Sequence, residues 1–466
     1  MLPSDAPPLR RRLSETNGPP RHFWGRGKSV AFADLIRGSS LGGRLGELAG
    51  RSVLLAPRDQ LNAGLAMIEL DGVARRLVIC GADVPQAHLL AIAASAEVDA
   101  IIADDGTPDL SMLGIALQVK CNPTIELQED MHYQLLAGDR ETEWVLLTSG
   151  TTGVPKLVSH TLASLIAPIE PGSDPPIWGT FYDIRRYGGL QIFFRAVIGG
   201  GSLILSDAGE PVTDHLARLA THGVTHLSGT PSHWWRVLMG PAAQSVTPRY
   251  VRLSGEIAGQ PVLDNLRAVY PQAGVCHAFA STEAGVGFEV DDGLEGFPVH
   301  YVNIGKTAVD IKIEGGSLRL RSARLASRYL GGRAPALLDE DGFVDTGDLV
   351  ERIGERYHFI GRKDGVINVG GLKVHPEEVE AAINRHASVS GSRVTARKSP
   401  ITGAIVMAEV VLKTVEQDGA VLPSAALERE IIELCRRDLE SYKVPAAIRF
   451  VRSLPISATG KLKRHA

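Results

Sequence analysis

Between Leu147 and Leu157 the chain reads Leu-Thr-Ser-Gly-Thr-Thr-Gly-Val-Pro-Lys-Leu. Thr148, Ser149, Thr151 and Thr152 surround Gly150 and Gly153, and Lys156 follows shortly after. Glycines let successive backbone N–H groups turn toward one anion, hydroxyls add donors, and the lysine supplies positive charge, a combination suited to a polyphosphate. It is not a Walker A loop, because GxxxxGK[ST] is absent and the lysine follows a proline. Taken alone, it also reads as a hydroxyl-rich surface loop. A second stretch, Ala278-Phe-Ala-Ser-Thr-Glu-Ala-Gly285, ends a predicted strand, where open α/β sheets place ligands. Phe279 offers a face to a base, while Thr282 and Glu283 offer a hydroxyl and a carboxylate for a substrate hydroxyl or a metal. An ordinary strand end has the same composition. Asp345 and Asp348 stand across a predicted tight turn in Gly342–Asp348. Gly361-Arg362-Lys363-Asp364, then Val369-Gly370-Gly371-Leu372-Lys373, and finally Pro455–Lys461 complete the set. The terminal lysine by itself reads equally as a solvated cation.

Each signal is weak alone, and their order carries the information. A hydroxyl/glycine/lysine loop, a Ser-Thr-Glu strand end, a Thr-Gly-Asp turn, a Gly-Arg-Lys-Asp linker and a terminal Thr-Gly-Lys follow one another along the chain. In this order they resemble the adenylate-forming superfamily of acyl-CoA synthetases, aryl-acid ligases, peptide-synthetase adenylation domains and beetle luciferases. By motif the resemblance covers residues 140–466, with only fold-level similarity before that. It implies a two-step reaction in which a carboxylate attacks the ATP α-phosphate to give acyl-AMP and pyrophosphate, and a thiol then displaces AMP. By the same resemblance Thr148, Ser149, Thr151, Thr152 and Lys156, with Gly150 and Gly153, hold the β- and γ-phosphates. Gly255 and Glu256 lie along adenine with Phe279 beside it. Thr282 meets the α-phosphate and Glu283 is the Mg²⁺ carboxylate. Asp348 and Arg362 hold the ribose hydroxyls. Lys461 bridges carboxylate and α-phosphate during adenylation, Asp364 is a hinge, and Gly370 and Gly371 belong to a loop lining the thiol tunnel. Lys461 and that loop cannot face one site together, so rotation about Asp364 is expected to exchange them.

Some positions depart from the pattern. Phe279-Ala280 replaces the usual tyrosine-glycine, which keeps the ring and loses a hydroxyl. In Phe181-Tyr-Asp-Ile-Arg-Arg-Tyr-Gly-Gly189 the aromatic-histidine pair of many acyl-CoA synthetases is missing, and Arg185 occupies the neighbourhood. Arg185 is read either as meeting an anionic or polar acyl group or as turned to solvent or paired with Asp183. Tyr187 falls where amino-acid-activating domains carry an aspartate, which disfavours free α-amino acids. In Pro231-Ser-His-Trp-Trp235, Trp234 and His233 are assigned to the acyl pocket, with core packing and a satisfied polar role as the competing readings. The N-terminal portion is short for the superfamily, and a small or aromatic acid is expected over a long-chain fatty acid.

These residues need elements to position them. Short apolar runs alternate with amphipathic ones from Leu77 to Ser281, as expected of βα units and largely parallel sheets. Strands are predicted at 77–80, 100–103, 144–147, 202–205, 224–227, 250–253 and 274–279, with helices at 86–98, 212–221, 232–239 and 262–269. A β-rich portion follows from Tyr301 to Leu349, with strands at 310–313 and 317–320. After Gly361 come a helix at 377–385 opened by His375-Pro376, strands at 394–396 and 405–412, a helix near 427–439 and a strand at 447–451. The expectation is an α/β protein with a disordered tail over 1–20, a large N-terminal domain over 21–362 holding the ATP and acyl sites, and a small mobile α+β domain over 363–466.

Composition narrows the partners. The 466 residues carry 49 Lys+Arg against 53 Asp+Glu, a net charge of −4, which argues against nucleic acid. No apolar run reaches the length of a membrane span. Four scattered cysteines form no CxxC pair, so a reducing, cytoplasmic setting is expected. ATP, Mg²⁺ and CoA are the implied cofactors, and a small carboxylic acid the implied substrate, giving an AMP-forming acid–thiol ligase. A carrier-protein phosphopantetheine is the alternative acceptor, and a catalytically silent nucleotide-binding regulator is the reading from another class.

Overall fold

Two mixed, mainly parallel sheets with helices packed between them make up most of the chain. The structure is a computed structural model that describes residues 7–15, 19–127, 140–148, 155–166, 169, 174–302, 308–331, 336–399, 403–413, 423–456 and 461–463. The first sheet has eight strands in the order 285–290, 274–281, 250–254, 226–229, 177–180, 202–204, 22–24 and 29–31. The second has seven, in the order 328–330, 157–160, 143–147, 76–79, 52–55, 100–103 and 117–120. Helices Gln60–Leu70 and Tyr187–Ile198 contribute to the largest apolar core, together with residues of both sheets. Every residue of Gln60–Leu70 is buried, so its apolar residues form no single stripe, and its polar members Gln60, Asn62 and Glu69 are hydrogen-bonded internally. The α/β class and the alternation of strands and helices are as the sequence predicts.

The beginning of the chain corrects an expectation. Residues 9–15 form a helix rather than part of a disordered tail. Leu9 and Leu13 are buried in the main core, and the Leu9 amide donates to Asp71 Oδ2 at 2.9 Å. The proline and arginine content suggested a solvated segment, but two leucines four residues apart are enough to seat one face of a helical turn.

A five-stranded antiparallel sheet follows, ordered 297–298, 356–362, 344–353, 317–322 and 309–314. Here the predicted Thr-Gly-Asp turn is instead a bulge inside the strand Val344–Ile353. Arg319 pairs with Asp345 and Ser317 with Leu349, so four steps on one strand oppose two on its neighbour. Gly347, at φ +72°, supplies the left-handed conformation this needs. From Ile367 onward a separate core forms around Val374, Ile383, Val394, Val410 and Ile431. Helices Pro376–Asn384 and Ala425–Asp438 and the strands 389–399, 403–412 and 447–450 build it.

Candidate active site

Strands Ile177–Thr180, His226–Gly229, Tyr250–Ser254 and Gly274–Ser281 run parallel, so their carboxyl ends lie along one edge. Tyr250–Ser254 reads Tyr-Val-Arg-Leu-Ser: Val251 and Leu253 enter the core shared with helices Pro231–Leu238 and Gln260–Val269, while Arg252 and Ser254 face the other way. Immediately after it the chain turns at Gly255, with φ +88°. A Cβ placed on Gly255 would stand 3.3 Å from Lys461 Cε, so the terminal lysine rests against this glycine. Glu256 closes the contact. Its Oε1 accepts from the Leu462 amide at 2.8 Å and its Oε2 from the Ser232 amide at 2.9 Å, joining the C-terminal segment to the start of helix Pro231–Leu238. Solvent reaches Lys461, yet the protein crowded around its ammonium pulls its pKa down. Glu256 opposes that shift, Arg362 adds to it, and Asp348 and Glu283 oppose it.

Asp348 and Arg362 face each other across the strand pair that follows the bulge. The guanidinium Nη1 donates to the two carboxylate oxygens at 3.3 and 3.5 Å, and its Nε donates to Asp364 Oδ1 at 3.2 Å. Burial raises the Asp348 pKa against the pull of Arg362 and Lys461. Burial also lowers Arg362, but Asp348 and Asp364 outweigh it and the net shift is upward. Asp345 is separate: burial pushes it up, but Lys363, Ser317 and the Gly347 amide hold it at about 2.

On the phosphate side, Thr148 N donates to Lys156 O at 3.0 Å, closing the neck of the loop. Ser149, Gly150, Thr151, Thr152 and Gly153 lie outside the described residues. Lys156 is exposed, with Nζ 5.1 Å from the centre of the Tyr329 ring. The Tyr329 hydroxyl donates to Glu283 Oε1 at 3.3 Å, so one side chain touches both the loop lysine and the predicted metal carboxylate. Thr282 is fixed through its carbonyl, 2.7 Å from the Nε2 of His160, a fully buried imidazole that burial drives down to about 4. Among the described residues no cluster of three ligating side chains exists. A single half-buried carboxylate fits Mg²⁺, which keeps waters and takes its remaining oxygens from phosphates. Phe279 stacks on Phe288 and Phe359, with ring centres 5.6 and 5.4 Å away, so two of its stacking contacts are with protein.

The residues assigned to the acyl pocket are where the sequence reading needs correction. Arg185 is 4% exposed and engaged internally. Its Nε and Nη2 donate to Asp183 at 2.8 and 2.6 Å, and its Nη1 donates to the Pro57 and Arg58 carbonyls. The pairing with Asp183 holds, and no donor is aimed at an acid. Trp234 is fully buried in the core of helices Pro231–Leu238 and Gln260–Val269, not on a pocket wall. His233 completes a capping box with Thr230: its amide donates to the hydroxyl, and its Nδ1 accepts from the Thr230 amide, both at 3.1 Å. Its ring stacks on Phe181, and burial pushes the imidazole to about 3. Tyr187 is buried at the start of helix Tyr187–Ile198. Gly370 and Gly371, at φ +61° and +90°, form the two-residue turn between strands Ile367–Val369 and Leu372–Val374. Sequence reasoning missed Tyr329 and a group of arginines behind the strand ends, Arg195, Arg252 and Arg324 with Glu289. All lie outside the motifs, and only an arginine in an otherwise apolar strand signals them.

Comparison with known proteins agrees with this fold. A family model described as AMP-binding enzyme matches residues 66–317, and one described as AMP-binding enzyme C-terminal domain matches 378–461. The 2-succinylbenzoate–CoA ligase of Bacillus velezensis is 27% identical over 345 residues, covering 70% of this chain and 68% of that protein. The enzyme of the same name from Escherichia coli K12 is 26% identical over 387 residues, covering 76% and 81%. Among solved structures, the anthranilate CoA ligase AuaEII in complex with anthranoyl-AMP superposes with a TM-score of 0.77 at 18% identity, covering 99% of this chain and 97% of that one. The o-succinylbenzoate CoA synthetase of Bacillus subtilis with its acyl-adenylate gives 0.72 at 20% identity, covering 97% and 96%.

Proposed function

The chain belongs to the AMP-binding enzyme family, and from that premise we propose that it activates a small or aromatic carboxylic acid with ATP and passes the acyl group to the thiol of CoA. The observation that carries the reading is the seating of Lys461 on Gly255, with Leu462 bonded to Glu256 and the Asp348–Arg362 pair beside it. In the first step a carboxylate oxygen forms a bond to the α-phosphorus while the bond to the β-phosphate oxygen breaks, releasing pyrophosphate. Charge grows on phosphoryl oxygens, so positioning and cations supply most of the catalysis. Lys461 meets that charge from the C-terminal side and Lys156 from the loop side. Asp348 and Arg362 hold the ribose. Glu283 is the residue that would hold Mg²⁺, which neutralises phosphate charge when bound. In the second step the thiol sulfur attacks the acyl carbonyl, its proton goes to solvent, and AMP leaves.

The separate core beyond Ile367 supports a division into units 21–362 and 363–466, with Asp364 as the hinge and the Gly370–Gly371 turn as the thiol-side loop. Names of relatives support CoA as acceptor. Four free, buried cysteines support a reducing compartment, the cytoplasm, and no helix among the described residues is long and apolar enough to cross a membrane. The test is pyrophosphate exchange across a panel of acids, followed by CoA or a phosphopantetheinylated carrier and mass analysis of the thioester. Lys461→Ala is expected to abolish acyl-AMP formation and to spare thioester formation from supplied acyl-AMP. Absence of acid-dependent exchange with every acid overturns the ligase reading.

A further inference from the structure

Behind the strand ends lies a buried excess of positive charge. Arg252 lies on strand Tyr250–Ser254, 2% exposed, on the same face as Ser254. Its Nε and Nη2 donate to Glu289 Oε1 at 3.2 and 2.9 Å. Arg195, from helix Tyr187–Ile198, donates through Nη2 to the same oxygen at 2.7 Å. Arg324, half-buried, donates to the Val286 carbonyl at 3.1 Å and is coupled electrostatically to Tyr187 and Glu289. Arg195 and Arg252 therefore share one carboxylate oxygen, with Arg324 near enough to feel its charge, leaving net positive charge in a largely buried place, which is costly without an anion. Desolvation and the neighbouring Arg252 both pull the Arg195 pKa down.

One further atom points the same way. Tyr187, Gln191 and Arg195 recur every four residues and so share one face of their helix. The Nε of Arg195, a donor that an anion would satisfy, is buried without a hydrogen-bond partner, while Gln191, 2% exposed one turn before it, donates its Nε2 to the Leu165 carbonyl at 3.0 Å. Native interiors rarely leave such atoms unpaired unless something else satisfies them. The neighbouring strand Gly274–Ser281 carries small residues here, Ala278 and Ala280. Arg252 precedes Ser254 by two residues, which places its Cα about 7 Å along the strand from the end where Gly255 meets Lys461.

We propose that Arg195, Arg252 and Arg324 form a subsite for a second anionic group on the acid substrate, so that the enzyme prefers acids carrying a second carboxylate a few carbons or one aromatic ring away from the one that is activated. This rests on the ligase reading and names its substrate class. It also relocates the cationic role that the sequence reading gave to Arg185.

The experiment is pyrophosphate exchange with full-length enzyme on matched pairs, succinate and glutarate against butyrate and valerate, and the benzene dicarboxylates against benzoate. At least one diacid is expected to exceed its monoacid partner in kcat/KM by tenfold or more. Arg195→Leu and, separately, Arg324→Gln are expected to cut that diacid-to-monoacid ratio by tenfold or more through KM for the diacid, with thermal melting confirming folded protein. Monoacids that exchange as well as or better than every diacid overturn the subsite and leave the ligase reading standing. A ratio unmoved in both folded variants also overturns it. Exchange with no acid at all overturns both.

Discussion

Glu256→Ala tests the docking of the C-terminal segment. One carboxylate accepts from Leu462, which follows the lysine proposed to act in adenylation, and from Ser232, in the first turn of the helix behind it. The Leu462 bond exists only while the segment is seated, whereas the Ser232 bond belongs to the N-terminal unit in any arrangement. A hydrogen bond to a charged group contributes about 1.5–3 kcal/mol. At 1.36 kcal/mol per factor of ten, losing it lowers the population with Lys461 against Gly255 by about 10- to 150-fold. Pyrophosphate exchange is expected to fall by that factor, while thioester formation from supplied acyl-AMP changes less than about threefold. Loss of the Ser232 bond is read independently as a small drop in melting temperature. Equal loss in both half-reactions, with the melting temperature held, refutes the assignment of Glu256 to the seated state.

Tyr329→Phe removes the hydroxyl that reaches Glu283 but keeps the ring beside Lys156; KM for ATP·Mg²⁺ is expected to rise about 2- to 10-fold, measured by magnesium titration of exchange, and an unchanged KM removes Tyr329 from the site. Trp234→Ala is expected to lower unfolding free energy by about 3–5 kcal/mol without changing the ranking of acids, because the ring is core; a changed ranking in folded protein restores it to the pocket. His160 and His233 are buried neutral, with folded values of about 4 and 3 against the usual 6.5. Their contribution is complete above pH 6.5 and is lost as the pH falls toward those values. For His160 alone the loss is on the order of 3 kcal/mol, so urea midpoints are expected to drop between pH 6.5 and 4, and His160→Gln is expected to flatten part of that slope.

Apolar runs of four or five residues located the strands well, because a strand buried on both faces has no other composition open to it. Ala100–Ala103 and the helix Val212–Thr221 fall where predicted. The strand predicted at 224–227 begins later, at His226: Gly223 turns with φ +64°, and Val224 is buried in the connection rather than in the sheet. The candidate site was legible where chemistry-bearing residues stand in short motifs, as around Asp348, Arg362 and Lys461, which the structure brings near one another. It was illegible where function depends on which face a side chain takes. Arg185 and Arg195 are both arginines near one helix, and only the structure shows the first tied to Asp183 and the second turned to the sheet. A carbonyl held by His160 has no sequence signature, since any residue can present it.

The bulge at Thr346–Asp348 has a consequence for how this strand tolerates change in length. A strand alternates its sides with a period of two, so it behaves as a counter that remembers only odd or even. The detour spends two extra residues between Asp345 and Leu349, an even number, so against the neighbouring strand Ser317–Ser322 the parity is intact. Excising one residue there would invert every later side chain up to Ile353, turning Val350 out of its core and Glu351 in. Excising two would preserve the count and withdraw only the carboxylate that meets Arg362. Length variation at this point is therefore quantised, and the step the sheet can absorb is the one that removes the Asp348–Arg362 contact.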